Sequence, residues 1–117
     1  LTEVARYHSK DMAQKGYFAH DSPDGESFGD RYQQFGITCA GGENIAYTFW
    51  EENVRTEGGL QYYDTEKELA IGLVNGWMNS TGHRENILRE RFQSEGIGIY
   101  VAEVDGMTRV YATQNFC

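Results

Sequence analysis

The stretch of sequence that decides the fold runs from Gly76 to Leu88 and reads Gly-Trp-Met-Asn-Ser-Thr-Gly-His-Arg-Glu-Asn-Ile-Leu. Within it, His83 follows the junction of two predicted helices, one ending near Asn79 and one running from Gly82 to Leu88. The positive end of a helix dipole lowers the pKa of an imidazole in the first turn. A neutral imidazole at such a junction can face a cleft and bind a metal.

Two distant segments carry further candidate site residues. Residues 17–25 place His20 directly before an acidic turn, and residues 42–46 place Glu43 after a glycine. Two imidazoles and a carboxylate can form a three-ligand site for zinc or another divalent cation. The sequence therefore offers His20, Glu43 and His83 as metal ligands. Taken singly, each histidine is better explained as a hydrogen-bonded structural residue, because sequence spacing alone does not bring the three together.

Polar residues near these positions are candidates to line the same cleft: Ser22, Asn44, Ser80 and Glu85. Either serine is a nucleophile only if a base lies within hydrogen-bond reach, and turn chemistry is the simpler explanation of both. Glu85 is also explained as a residue that compensates the dipole of the following helix. His8 lies on the apolar face of the first predicted helix and is interpreted as a core-edge histidine.

Helix patterns come first in the chain. Apolar spacing predicts a helix from the start to near Gly16 and a second helix over Ser27 to Phe35. Thr65 and Glu68 form a capping box for a third helix. Its predicted apolar face is Leu69, Leu73, Val74 and Trp77. Between the second and third helices, residues 53–64 are polar and weakly patterned, which predicts a mobile surface loop.

Strand patterns come last. Ile97, Ile99 and Val101 alternate with Gly96, Gly98 and Tyr100. This pattern predicts a strand with the first three on its buried face and glycines able to approach a neighbour on the other. The Asp105-Gly106 pair predicts a tight hairpin, and Thr108 to Asn115 is the returning strand. Helices followed by a terminal hairpin indicate an α+β fold with an antiparallel sheet.

Composition excludes several classes of function. The chain has 117 residues, the length of one domain, with 18 acidic against 10 basic residues and a net charge of −8. Such a balance argues against nucleic acid and against an anionic membrane surface as partners. No apolar run approaches the roughly 18 residues of a transmembrane helix. An acid-rich, lysine-poor surface suits a protein of high-salt environments, and it equally fits an ordinary acidic soluble protein.

The two cysteines, Cys39 and Cys117, are too few and too far apart for a metal knuckle. A disulfide between them would close most of the chain and stabilise it by roughly 4 kcal/mol in the loop-entropy model. Two free thiols in a reducing compartment are the alternative.

Several segments together resemble the CAP superfamily of SCP-like proteins (cysteine-rich secretory protein, antigen 5 and pathogenesis-related 1), in particular its prokaryotic branch. The matching residues are Ala5-x-x-His8-Ser9-x-Asp11-Met12-Ala13, Gly16-Tyr17-Phe18-x-His20-x-Ser22-Pro23-Asp24-Gly25, Gly42-Glu43-Asn44-Ile45-Ala46 and Trp77-Met78-Asn79-Ser80-x-Gly82-His83-Arg84-x-Asn86-Ile87-Leu88. The likeness extends through Gly96-Ile97-Gly98 and so covers nearly the whole chain. The acidic composition and the polar insertion are similar to those of a halophilic archaeal member.

The resemblance implies an α-β-α sandwich with a small antiparallel sheet between helix layers. Residues 1–117 would be a single domain that lacks the N-terminal part of its first helix. The resemblance also implies a cleft tetrad of two histidines, His20 and His83, and two acids, the first being Glu43. In many eukaryotic relatives the second acid stands where this chain has Ser80, so that group is missing or is supplied elsewhere.

The sequence has no evident nucleophile. Together with the resemblance, this predicts a secreted, non-catalytic module, extracellular or at the cell surface. It would bind a divalent cation, zinc or another, and an extracellular protein, glycan or lipid in the cleft. A metal- or serine-dependent hydrolase of peptidase or esterase type is one alternative. A sterol- or fatty-acid-binding protein is another, for which the insertion and its flanks offer aromatic side chains: Tyr47, Phe49, Trp50, Tyr62 and Tyr63.

Overall fold

A computed structural model describes the backbone of residues 1–50, 53–56, 59–63 and 65–117 and the side chains of residues 1–50, 63 and 65–117. Within these ranges the chain forms both helices and strands, as the predicted α+β class requires. In chain order they are α1 (Thr2–Lys15), α2 (Phe28–Gln34), β1 (Gly42–Trp50), β2 (Asn53–Thr56), β3 (Gly59–Tyr62), α3 (Glu66–Met78), α4 (Thr81–Leu88), β4 (Glu95–Val104) and β5 (Met107–Phe116).

The main sheet has the strand order β1-β5-β4 and is antiparallel throughout. β5 lies at its centre, and consecutive residues of β5 face opposite helix layers because side chains alternate along a strand. Val110 and Ala112 pack with α3, whereas Tyr111 packs with Met12 of α1. The sheet therefore lies between α1 on one face and α3 on the other, the sandwich that the resemblance implies.

The predicted helix ends are confirmed by their capping groups. Gly16 ends α1 in the left-handed conformation, and Ser27 begins α2 with a reciprocal capping box to Asp30. Thr65 Oγ1 accepts a hydrogen bond from the Glu68 amide at the start of α3. The hairpin between β4 and β5 turns at Asp105-Gly106, both with positive φ, as a type I′ turn requires.

The face prediction for β4 was wrong for Ile99 and Val101, but Ile97 is partly buried against the α3 cluster and the predicted close approach at the glycines is confirmed. Gly96 and Gly98 lie on the buried side, where a Cβ at either position would collide with the backbone of α1. Ile99 and Val101, predicted to be buried, are 37% and 43% exposed. The two glycines let α1 approach the edge strand closely, so that helix covers the glycine face instead.

Two further predictions differ from the structure, and one further strand was not predicted. Val74 is exposed, since it stands one residue, about 100° of helical rotation, beyond Leu73 and so off the buried stripe of α3. Residues 53–64 were predicted as a mobile surface loop, but β2 and β3 pair there as an antiparallel ribbon; Glu57, Gly58 and Asp64 lie outside the described residues. β1 was not predicted at all.

Candidate functional site

The site is organised by β1, which forms one edge of the main sheet. Glu43 and Asn44 are neighbours in this strand and therefore face opposite sides of the sheet. Glu43 contacts residues of α1 and α2, and Asn44 contacts α4. The edge position of β1 thus allows groups from both helix layers to meet around it.

Glu43 is a buried carboxylate whose two oxygens are both engaged. Oε2 accepts hydrogen bonds from Arg31 Nη2 at 2.6 Å and from Asn115 Nδ2 at 2.9 Å. Oε1 lies 3.0 Å from His20 Nδ1. Since Arg31 is also fully buried, the two charges compensate each other in a medium where neither is well solvated alone.

These partners determine the ionisation of Glu43. Burial acts to raise its pKa, but the hydrogen bond from His20 and the charge of Arg31 outweigh burial and hold the pKa below its usual value. An ionised carboxylate only accepts hydrogen bonds. The Nδ1 atom of His20 therefore carries the proton and donates a hydrogen bond to Glu43. Nε2 of the neutral ring then keeps its electron pair and can act as an electron-pair donor. The same hydrogen bond raises the pKa of His20.

His8 is a third imidazole beside Glu43, and it is fully buried. Its Nε2 donates to the carbonyl of Ala19 at 2.9 Å and lies 3.8 Å from Glu43 Oε1. Burial lowers the pKa of His8, with Glu43 opposing the shift. The prediction of a satisfied histidine is right for Nε2 only, because Nδ1 is buried without a partner among the described residues. His8 belongs to the polar cluster around Glu43 and not to the core edge.

His83 comes from the other helix layer and is held at both its ring and its backbone. Its Nδ1 lies 2.9 Å from Ser80 Oγ, and its carbonyl accepts a hydrogen bond from Asn44 Nδ2 at 3.0 Å. Asn86 Nδ2 donates to Asn44 Oδ1 at 2.9 Å and so links α4 to β1 a second time. Burial, followed by the charge of His20, lowers the pKa of His83. The predicted direction is confirmed, with burial as its largest cause.

A groove of about 340 Å³ runs along β1 between its edge and α3. Its walls are largely apolar, with Ser80 and His83 at one place on its lining. The lining residues are Phe18, Ile45, Ala46, Tyr47, Thr48, Tyr63, Gly72, Leu73, Gly76, Trp77, Ser80 and His83. The arrangement combines an apolar trough with the imidazole of His83 and the neighbouring hydroxyl of Ser80.

The chain matches the family model described as the cysteine-rich secretory protein family, CAP, over residues 1–116. The chain belongs to the CAP family. Among curated relatives it is 38% identical over 99 residues to the uncharacterized protein YkwD of Bacillus subtilis, covering 84% of this chain and 32% of that protein. It is 32% identical over 115 residues to the uncharacterized membrane protein YlbC of the same organism, covering 97% of this chain and 26% of that protein.

Solved structures agree with this CAP fold. An extracellular protein of Bacillus anthracis that contains an SCP domain is 38% identical, with a TM-score of 0.70 over 98% of this chain and 30% of that one. An outer surface protein of Borrelia burgdorferi is 16% identical, with a TM-score of 0.65 over 99% of this chain and 71% of that one; this likeness concerns the fold alone. The CAP domain spans about a third or less of the curated relatives it matches.

Two predicted features can be compared directly with the CAP domain's structure. Cys39 and Cys117 form a disulfide with a Cα–Cα distance of 5.7 Å, which settles the open choice between paired and free cysteines. In the described part of the chain, no helix has both the length and the apolar character needed to cross a membrane.

The predicted cleft residues have different roles in the structure. Ser80 lines the groove. Asn44 is buried, and its Nδ2 donates a hydrogen bond to the carbonyl of His83. Ser22 is buried in the turn after His20, donating to Asp24 Oδ1 and accepting from the Glu26 amide. Glu85 is exposed on α4, beyond its first turn, so it does not compensate the dipole there.

A metal held by His20, Glu43 and His83 meets a difficulty at the carboxylate. Glu43 already accepts hydrogen bonds from Arg31, Asn115 and His20, and coordination would have to displace at least one buried donor. Among the residues whose side chains are described, no group of three or more His, Cys, Asp or Glu is arranged to hold a metal ion. The two imidazoles remain suitable donors, each with its Nδ1 occupied and its Nε2 uncommitted by any described residue.

Sequence reasoning missed Arg31, Asn115 and Asn86, which support the site. Arg31 lies in a predicted helix, where an arginine is normally solvent-exposed. Its role follows only from the contact of α2 with β1, which no local pattern encodes. Asn86 entered the sequence analysis only as part of the motif that resembles the CAP superfamily, yet it joins α4 to Asn44 and to the Glu43 carbonyl.

Proposed function

We propose that this CAP domain is an extracellular, non-catalytic binding module whose groove along β1 takes a ligand, and whose two cleft histidines hold a divalent cation. The observation that carries this proposal is that both imidazoles are oriented through Nδ1, His20 by Glu43 and His83 by Ser80. A hydrogen bond at one ring nitrogen fixes the tautomer and direction of a metal-binding histidine. In this proposal Glu43 orients His20 and does not itself coordinate.

The electrostatics of the two rings favour a labile cation site. The lowered pKa of His83 keeps it neutral near pH 7, as metal binding requires. The raised pKa of His20 means that protons compete with the metal there. Two imidazole donors are fewer than the three protein ligands of most catalytic zinc sites. Weak, pH-dependent binding of a zinc-like ion is the expected behaviour.

The environment of Glu43 supports a non-catalytic role. A general base needs a proton affinity near the working pH and access to the substrate. Glu43 is buried, paired with Arg31, and has its pKa held below the usual value, so it is a poor base. The disulfide between Cys39 and Cys117 and the extracellular nature of the B. anthracis relative support an extracellular location.

Zinc titration by calorimetry tests the cation site. Wild type, His20→Ala and His83→Ala are compared at pH 7.5, with Glu85→Ala as a matched control because Glu85 is an exposed acid on the same helix as His83. Either histidine substitution should weaken binding by about tenfold or more, and Glu85→Ala should leave it unchanged. Equal zinc binding by all four proteins would remove the site.

A serine hydrolase is the second candidate, and one contact favours it. Ser80 Oγ lies 2.9 Å from Nδ1 of His83, whose lowered pKa suits a neutral proton acceptor. Ser80 is also the N-cap of α4, where backbone N–H groups of the first turn can stabilise an oxyanion. Hydrolysis of a p-nitrophenyl ester panel that is abolished by Ser80→Ala, while Ser22→Ala retains it, would establish this activity. Sterol or fatty-acid binding stays a prediction.

A further inference from the structure

The outer edge of β1 exposes backbone groups in a regular order. In an antiparallel pair, alternate residues direct both N–H and C=O toward the partner strand or both away from it. Trp77 Nε1 donates to the Ile45 carbonyl at 3.1 Å, and Asn86 Nδ2 donates to the Glu43 carbonyl at 3.3 Å. These carbonyls therefore face away from β5, and the next residue with this orientation is Tyr47.

Tyr47 differs from Glu43 and Ile45 in the hydrogen bonding of its outward backbone groups. Side chains of α3 and α4 satisfy the outward carbonyls of Ile45 and Glu43, but no described residue donates to or accepts from the outward backbone groups of Tyr47. An outward N–H and C=O on one residue of an edge strand form a site for a further strand. The edge at Tyr47 can thus pair with an extended peptide.

The groove beside this edge suits an apolar side chain. A strand added outside β1 would direct alternate side chains toward α3, into the cavity of about 340 Å³. Gly76 of α3 lines this cavity, and a Cβ built there meets no atom within 4 Å. Leu73 and Trp77 provide apolar wall on the same helix. The absent side chain at Gly76 is part of what keeps the cavity open.

The intervening side chains of an added strand would face the opposite side of the sheet, where Arg109 lies. Its guanidinium stacks over the rings of Tyr47 and Phe49, with 5.5 and 5.2 Å from Cζ to the ring centres. It therefore reaches from β5 across β1 toward the open edge. Arg109 Nη1 donates to Tyr111 Oη at 3.2 Å, and Nε has no partner among the described residues. Among the described side chains, no carboxylate lies within 4.0 Å of it.

Lys15 adds a second cation to the hollow of about 410 Å³ that Arg109 and Tyr47 line. Lys15 is paired with Asp11 at 3.1 Å, whereas Asp105, the described acid whose charge acts on Arg109, forms no ion pair with it. In a chain of net charge −8, a guanidinium held by two aromatic rings and without a carboxylate partner among the described side chains is suited to an acidic ligand group.

We propose that this domain binds an extended peptide by adding it as a strand to the edge of β1 at Tyr47. An apolar residue of the peptide enters the groove beside Gly76, and an adjacent acidic residue faces Arg109. Main-chain hydrogen bonds supply affinity in this mode, and the alternating pockets supply specificity. The inference rests on the proposed function in taking the groove as a ligand site, but it needs neither the cation nor His20.

Binding of a fluorescent octapeptide, acetyl-Thr-Val-Thr-Leu-Asp-Thr-Val-Thr-amide, measured by polarisation tests the proposal. A series of the same peptide carries one N-methyl group at each successive amide. Strand addition predicts that methylation weakens binding by about tenfold or more at alternate positions, where the amide donates to β1, and has little effect between them. Replacing the central Asp by Lys should weaken binding by a similar factor.

Two protein variants test the pockets without disturbing the fold. Gly76→Leu fills the groove at an exposed helix position and should weaken peptide binding about tenfold or more, whereas Asn75→Leu, its exposed neighbour outside the groove, should not. Arg109→Gln should remove the preference for Asp over Lys. Absence of binding at about 1 mM peptide, or N-methyl effects that do not alternate, would overturn the inference. Zinc binding by His20 and His83 would then still stand, since it is measured separately.

Discussion

Arg31 Nη2 lies 2.6 Å from Glu43 Oε2, and both side chains are buried from solvent. Arg31 Nη1 also donates to the His20 carbonyl at 3.0 Å. One guanidinium therefore joins α2, β1 and the segment that carries His20. This contact makes the carboxylate of the cleft a structural and orienting group.

Replacing Arg31 should destabilise the fold severely. Arg31→Met leaves the Glu43 carboxylate buried beside uncharged groups, and breaking a buried pair from one side costs about 3–5 kcal/mol. Urea unfolding of Arg31→Met against wild type measures the loss. The exposed Arg84→Met is the control and should change the free energy of unfolding by about 0.5 kcal/mol or less. A mild effect of Arg31→Met, equal to that control, would show that the pair does not hold the site.

The three histidines should titrate in a fixed order. His20 should have a pKa above 6.5 because of its hydrogen bond to Glu43, and burial should place His8 and His83 below 6.5. NMR titration of the imidazole C–H signals measures all three. In Glu43→Gln the pKa of His20 should fall. A value for His20 below that of His83 in the wild type would contradict the assigned contacts.

These directions have opposite consequences for stability. The raised pKa of His20 contributes stability that is present below its unfolded pKa and is lost as pH rises through the folded value; the effect is small because its side chain is 51% exposed. The lowered pKa of His8 contributes stability that is present above about 6.5 and is lost as pH falls. Because His8 is fully buried, we expect the net stability to decline on acidification.

Replacing Gly98 or Gly76 by alanine should change the free energy of unfolding in opposite directions. At Gly98 an added Cβ meets the backbone of Ala5 and Arg6 in α1, so Gly98→Ala should cost about 1–3 kcal/mol or more. Gly76 is exposed within α3 with open space around its Cβ position, so Gly76→Ala should stabilise by up to about 1 kcal/mol. Thermal and urea unfolding of both variants provide the comparison. Equal shifts would mean that α1 does not approach β4 closely.

The disulfide should hold the C-terminus that follows β5 to the segment that precedes β1. It joins positions 78 residues apart, and its removal in Cys39→Ser/Cys117→Ser should cost about 2–5 kcal/mol. The amides of Gln93 and Ser94 donate to the Cys117 carbonyl, so their hydrogen exchange should accelerate most. Unchanged protection of these amides in the double variant would show that strand pairing alone fixes the terminus.

The sequence predicted elements whose signals are local. Gly16, Ser27 and Thr65 marked helix ends through capping chemistry, and Asp105-Gly106 marked the hairpin, since each depends on few neighbouring residues. β1 was missed because its first residues, including Glu43 and Asn44, are polar and disfavoured in strands. They are buried because α2 and α4 supply their partners, which is a tertiary effect.

The candidate site shows the same contrast between local signals and tertiary contacts. The resemblance singled out His20, Glu43 and His83, and the structure joins His20 to Glu43, but the resemblance could not assign the contacts of these residues. Which groups neutralise Glu43, and whether Ser80 replaces an acid or serves His83, depends on distances between elements. Ser80 takes the Nδ1 side of His83, and it stands at the sequence position where the resemblance implies an acid.

Nitrogen-15 spectroscopy of the histidine rings during zinc titration tests whether His20 and His83 share one cation. We predict that the Nε2 signals of His20 and His83 shift together at the same zinc concentration while their Nδ1 atoms stay bonded to Glu43 and Ser80. His8, buried with its Nε2 on the Ala19 carbonyl, should not respond and serves as the internal control. Zinc that shifts only one of the two rings, or neither, would contradict the shared site.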